Sequence, residues 1–132
     1  MSTQRKIRYQ IASLVIPGAG ASVDSVDVTT DINYDNVVGI QATCTDPEAF
    51  KASTFQKFEI GNLEIYCKGY EAKMLSAGTN CPPSQRWDKE VNEKAQGSTV
   101  DISYTDASVV GTVYPYTVNV YLWLKNPESP QN

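Results

Sequence analysis

Three cysteines, fifteen carboxylates and no histidine are the groups with which this 132-residue chain could do chemistry. Without histidine there is no Ser-His-Asp triad, no Cys-His dyad, no imidazole base and little scope for a zinc or copper site. The cysteines are Cys44, Cys67 and Cys81, an odd number at spacings that match no zinc or redox pattern. Cys67 runs in phase with Leu63 and Ile65, and Cys44 with Val38 and Ile40. Both read as small core hydrophobes. Cys81, before Pro82-Pro83, reads as an exposed thiol. A cysteine nucleophile needs a base that this chain does not supply, and free thiols favour a reducing compartment.

The carboxylates form two suggestive groups. Asp31-Ile32-Asn33-Tyr34-Asp35 copies the first half of a calcium loop, but Asn36 takes the place of the turn glycine and Ala42 that of the bidentate glutamate. An ordinary Asx-rich turn explains the same residues. Asp24 and Asp27 nearby leave a calcium site built around Asp31 and Asp35 open as a second reading. Glu59, Glu64 and Glu71 fall in adjacent expected strands. A glycosidase needs one carboxylate pair about 5–10 Å apart, and nothing in the sequence selects one. Gly18-Ala19-Gly20 lacks the third glycine, or the Lys-Ser/Thr and helix, of a phosphate loop. The expectation is a non-enzymatic protein without a cofactor or resident metal.

The aromatics are the remaining candidates. Tyr66, Tyr70, Trp87, Tyr114, Tyr116, Tyr121 and Trp123 exceed what one small core requires. Large rigid rings anchor protein interfaces, and their faces stack on sugars. At strand edges they simply keep a polar tip in water. Trp87, Tyr114, Tyr116, Tyr121 and Trp123 are the candidate interface or ligand residues. Arg86 beside Trp87 adds a carboxylate-binding fork.

The elements that must position these rings are strands. Val (13), Ile (8) and Thr (11) far outnumber Leu (5), and β-branched side chains suit a pleated surface. Ile7, Tyr9, Ile11 and Val15 alternate with Arg8, Gln10 and Ala12; Val100, Ile102 and Tyr104 alternate with Asp101 and Ser103. Val118, Val120, Leu122 and Leu124 alternate with Thr117, Asn119, Tyr121 and Trp123. Each period of two predicts a strand with one face in a core. With Gly61-Asn62 as a tight hairpin turn, about eight strands are expected, over 5–16, 23–30, 36–44, 54–60, 63–68, 70–75, 99–105 and 112–125. Pro115 is a point at which the last segment could divide. Asp46-Pro47 predicts a short helical turn with Asp46 as its cap. The polar stretch 76–98 reads as a long loop, with a short helix after Asp88. The fold class is all-β: one antiparallel β-sandwich over 1–125, jelly-roll-like, with a loose tail over 126–132.

Composition limits the partners. Lys+Arg 11 against Asp+Glu 15 gives a net charge of −4, which argues against a nucleic-acid binder. Mean hydropathy is −0.34, and no apolar run of about 18 residues offers a membrane-spanning helix. Arg5, Lys6 and Arg8 ahead of Ile11–Ile16, then Ala19-Gly20-Ala21, copy parts of a secretion signal. Tyr9 and Gln10 interrupt the apolar run, so a first strand is expected there.

Val28-Thr29-Thr30-Asp31, Thr54-Phe55-Gln56-Lys57-Phe58-Glu59-Ile60 and Tyr116-Thr117-Val118-Asn119-Val120-Tyr121-Leu122-Trp123-Leu124, in that order across about residues 5–125, resemble small single jelly-roll capsid-associated proteins of bacteriophages. The resemblance is one of architecture and composition. It implies a virion protein, a vertex (penton), decoration or spike-base subunit, assembled in the host cytoplasm in many symmetric copies. Its partners would be itself and other capsid proteins, and it brings no catalytic residue. A carbohydrate-binding sandwich module is the competing expectation.

Overall fold

The computed structural model describes residues 7–25, 28–75, 88 and 93–126. Within them the chain runs β1 (Ile7–Ile16), β2 (Ser22–Asp24), β3 (Asn36–Cys44), α1 (Pro47–Ala52), β4 (Thr54–Ile60), β5 (Leu63–Tyr66) and β6 (Tyr70–Glu71). After a single 3-10 turn (Ala72–Leu75) come β7 (Glu93–Lys94), β8 (Val100–Thr105) and β9 (Tyr116–Lys125). Two antiparallel sheets pack as a sandwich. One has the order β1-β9-β3-β7; the other has the order β2-β8-β4-β5, with β6 also paired to β4. Apart from the β4–β5 hairpin and the two-residue β6, successive strands alternate between the sheets.

Side-chain alternation puts one face of each long strand inside. Val118, Val120, Leu122 and Leu124 of β9 are fully buried, as are Val100, Ile102 and Tyr104 of β8. They meet Phe55, Phe58 and Ile60 of β4 and Phe50 of α1. The rings form a continuous cluster. Phe55 lies edge-on to Phe58 and to Tyr104, each at 5.6 Å between centroids, and Phe50 stacks on Tyr104 at 6.1 Å. Such pairs add about 0.5–1.5 kcal/mol each beyond the area they bury.

Local chemistry sets the turns. Gly61 and Asn62 both have positive φ, 62° and 66°, the type I′ conformation whose twist matches two antiparallel strands. The Asp46 carboxylate accepts the Ala49 N–H at 3.2 Å, and Pro47 opens α1. The strand expected over 23–30 instead pauses after Asp24. The Ser25 hydroxyl donates to the Val100 carbonyl and accepts the Ile102 N–H, replacing ladder bonds with side-chain ones. Beyond residues 26–27, which lie outside the described residues, the Val28 carbonyl accepts the Val100 N–H at 2.9 Å and Thr29 bridges Thr99. The expected 70–75 strand is only two residues of β6 followed by the 3-10 turn, and residues 112–115 lie outside β9, which begins directly after Pro115. Asn126, placed in the expected tail, is held. Its carboxamide accepts the Asp35 N–H at 2.8 Å and donates to the Asn33 carbonyl at 3.1 Å. Residues 127–132, most of the 76–98 stretch and its expected helix after Asp88 lie outside the described residues.

In urea unfolding, Phe55→Ala is expected to cost about 3–5 kcal/mol, as a ring removed from a filled core. Asp46→Ala is expected to cost about 0.5–2 kcal/mol, as a lost helix cap.

Candidate functional site

The first strand is apolar on both faces, so its periodicity alone does not say which face is buried. The register with β9 does. Ala12 pairs with Val120 and Leu14 with Val118, and all four side chains are buried. This corrects the expected phase: Tyr9, Ile11 and Val15 point outward, 50%, 54% and 55% exposed. Across from them, Trp123 pairs with Tyr9, Tyr121 with Ile11, Asn119 with Ser13 and Thr117 with Val15. On the far side of β9, Gly39 faces Trp123, Gln41 faces Tyr121 and Thr43 faces Asn119.

The outcome is a three-strand outer face that carries five aromatic or branched apolar side chains, Tyr9, Ile11, Val15, Tyr121 and Trp123. The Tyr9 and Trp123 rings lie 6.2 Å apart, tilted. The Ser13 hydroxyl donates to the Asn119 carboxamide at 2.7 Å. From Tyr9 to Val15, from Thr117 to Trp123 and from Gln41 to Thr43 the outward residues carry no charge. Lys125 is the first one reached along β9. In a chain that is 20% charged, such a face is depleted in the way interface centres are.

The candidate aromatics divide between two places. Tyr121 and Trp123 are half-buried on this face. Tyr114 is half-buried at the end of the sandwich where the β8–β9 loop lies. Tyr116 is not a surface anchor: it is 3% exposed. It falls on the inward phase of β9, and its hydroxyl is drawn inside by a buried carboxylate. Trp87 and its neighbour Arg86 lie outside the described residues, as do Cys81 and Asp27.

That carboxylate is Asp106, which sequence reasoning missed. It occupies the next inward position after Val100, Ile102 and Tyr104, the signal that would have found it. Only 3% exposed, it accepts the Tyr116 and Tyr114 hydroxyls at 2.5 Å and the Gly20 and Ser108 N–H groups at 3.0 Å. The Tyr104 and Tyr116 hydroxyls share a further bond at 3.0 Å. Burial pushes the Asp106 carboxyl up, but the donors outweigh it and hold it below the usual aspartate range. Conversely, the hydrogen bond to Asp106, aided by desolvation, pushes Tyr114 up to about 12. Burial and the same carboxylate raise Tyr116. Four donors from the described residues converge on Asp106, so the cluster reads as a clamp.

The other candidates are dispersed. Asp31 accepts the Asn33 N–H at 2.9 Å and also pairs with the Arg8 guanidinium. The Asn33 N–H and Arg8 lower its carboxyl against a smaller desolvation effect. Asp35 accepts the Gln96 amide at 2.9 Å, and Asp24 accepts the Ser103 hydroxyl. Among the described residues no group of three His, Cys, Asp or Glu is placed to hold a metal ion. Glu59 and Glu64 are register partners, Glu59 being 3.9 Å from the Lys57 ammonium, and Glu71 is 3.0 Å from Lys73. Cys44 is half-buried, and desolvation raises its thiol. Cys67 corrects the core expectation: β5 ends at Tyr66, and the thiol is exposed in the turn beyond.

No family model, no curated protein and no solved structure matches this chain.

Asp106→Asn is expected to cost about 1–3 kcal/mol, because an amide cannot accept all four donors. The loss has a defined pH dependence. A carboxyl lowered by folding contributes in full above its ordinary value of 3.8 and loses that contribution as pH falls through its folded value. The Tm gap between wild type and variant should therefore be widest near neutrality and close in acid. An equal gap at pH 7 and pH 2 in thermal melts would contradict this account of the clamp.

Proposed function

We propose that this protein is a non-enzymatic structural subunit that works by self-association and docking, in the class of jelly-roll proteins that build or decorate virus particles. The observation that carries the reading is the uncharged outer face of β1, β9 and β3. Ile11 and Val15 have no polar handle to satisfy in water, and Tyr9, Tyr121 and Trp123 supply the rigid contact area typical of interface centres.

The strand order supports the jelly-roll class. With β6 set aside, eight strands form two sheets of four in which every connection but the β4–β5 hairpin crosses from one sheet to the other. Such crossing connections support the reading as a double-sheet jelly roll, an architecture used by capsid and lectin domains alike. A fold alone does not assign function, so the weight rests on the face. Its most economical occupant is a second copy, since like meets like there without opposing charges. Repetition in a symmetric particle then multiplies a modest contact. Such a particle would be assembled in the host cytoplasm, with other capsid proteins as further partners.

A second reading has its own observation. The adjacent Tyr9 and Trp123 rings form a small platform that suits the apolar face of a sugar, as a carbohydrate-binding sandwich would use it.

Light scattering at two concentrations separates the readings. The expected result is a mass above 14.5 kDa that rises with concentration. It should return to that of the monomer in the Tyr9→Ser/Ile11→Ser double variant, which keeps its circular dichroism spectrum because both side chains are exposed. A monomer at every concentration, whose tryptophan fluorescence is quenched by a glycan, would overturn the assembly reading in favour of the second.

A further inference from the structure

Among the described residues three of the four sheet edges are short: β2 has three residues, β5 four and β7 two. The fourth, β1, has ten and pairs with β9 without a register shift. Short edges, lysines, prolines and bulges are the usual protections against strand addition. From Tyr9 to Ile16, Tyr-Gln-Ile-Ala-Ser-Leu-Val-Ile, β1 has none of them. Charge begins only at Arg8, which is committed to Asp31, and proline only at Pro17. Among the described residues β1 has no second strand partner; the neighbouring 29–31 segment meets it through side chains, the Gln10 carboxamide donating to the Thr29 carbonyl and accepting the Asp31 N–H.

We infer that this edge is the seam of a homodimer. Two copies add β1 to β1 antiparallel across a two-fold axis, making one continuous sheet of the two four-stranded ones. The inference rests on the self-association reading above and names its geometry. Three observations select a second copy as the occupant. A two-fold contact brings a segment against itself, and the Gln10–Ile16 segment has no charge to repel its own kind. Facing residues of antiparallel strands share a face. Edge pairing therefore merges the two uncharged outer faces into one surface, with Ile11 and Val15 at its middle, half withdrawn from water. The area is sufficient. The segment is about 24 Å long at ~3.4 Å per residue, and a two-layer edge is about 20 Å deep, giving about 500 Å² per protomer. Two such areas reach the roughly 1,000 Å² at which specific interfaces begin. A nucleic acid or an anionic membrane would call for cations here, and the edge has none between Tyr9 and Ile16.

The test is hydrogen exchange on the wild-type protein at low and high concentration, with sedimentation giving the mass. The expected result is a species of twice the monomer mass, in which β1 amides turned away from β9 exchange roughly tenfold more slowly than in the monomer, a change of about 1.4 kcal/mol. Ser13→Lys, a charge at an exposed edge position, should weaken the dimer by a factor of ten or more and leave the circular dichroism spectrum unchanged. An oligomer that forms while those amides keep their monomer rates, and that Ser13→Lys does not weaken, would overturn the seam and leave the self-association reading intact. A monomer at all concentrations would overturn both.

Discussion

The polar clamp at Asp106 is the constraint on which one end of the sandwich depends. A carboxylate this deeply buried is costly unless its acceptor sites are filled, and here four donors from three parts of the chain fill them. Gly20 belongs to the β1–β2 turn, Ser108 and Tyr114 to the β8–β9 loop, and Tyr116 to the first residue of β9. The Ser53 hydroxyl adds α1 by accepting the Ala107 N–H at 3.1 Å and donating to the Ala49 carbonyl at 2.7 Å. One ionised group thus gathers both sheets and the helix. β9 starts where Tyr116 is held, so its register with β1 and β3, and the make-up of the outer face, follow from that anchor.

Much of this architecture was legible in the sequence because it follows from local chemistry. Asp46-Pro47 announces its helix, Gly61-Asn62 its hairpin, and the alternation through Val118, Val120, Leu122 and Leu124 its inward face. The failures have physical causes. In β1 both faces are apolar, and only pairing with a strand a hundred residues away decides that Leu14 rather than Val15 is buried. At Ser25 the composition suits a strand, yet the side-chain hydroxyl takes the Ile102 N–H and the Val100 carbonyl. Cys67 keeps phase with Ile65, but β5 stops before the phase applies.

The candidate site was less legible than the fold. Tyr121 and Trp123 stood out as off-phase aromatics on a strand with a buried face, and both lie on the outer surface. Tyr9, Ile11 and Val15 complete that surface although their apolar phase reads as a core face, since hydrophobicity alone cannot separate a core face from an exposed one. Tyr116 shows the opposite case: a tyrosine's polar tip suggests water, yet its hydroxyl is buried against the Asp106 carboxylate. Surplus aromatics are visible in composition, whereas which of them share an outer face needs the register.

The pairing of β1 with β9 also bears on how the protein is made. Their paired residues lie 100 to 118 positions apart, and contacts this distant in sequence slow folding because a large loop must close first. While the chain is being synthesised, β1 is present long before the strand that will cover its other edge. During that interval both edges of an uncharged, proline-free segment are available to other nascent chains, a situation that favours misassembly. Copies crowded on neighbouring ribosomes would meet through the same residues that the finished protein presents at its rim. That exposure ends on one side only when β9 has been made and pairs with β1.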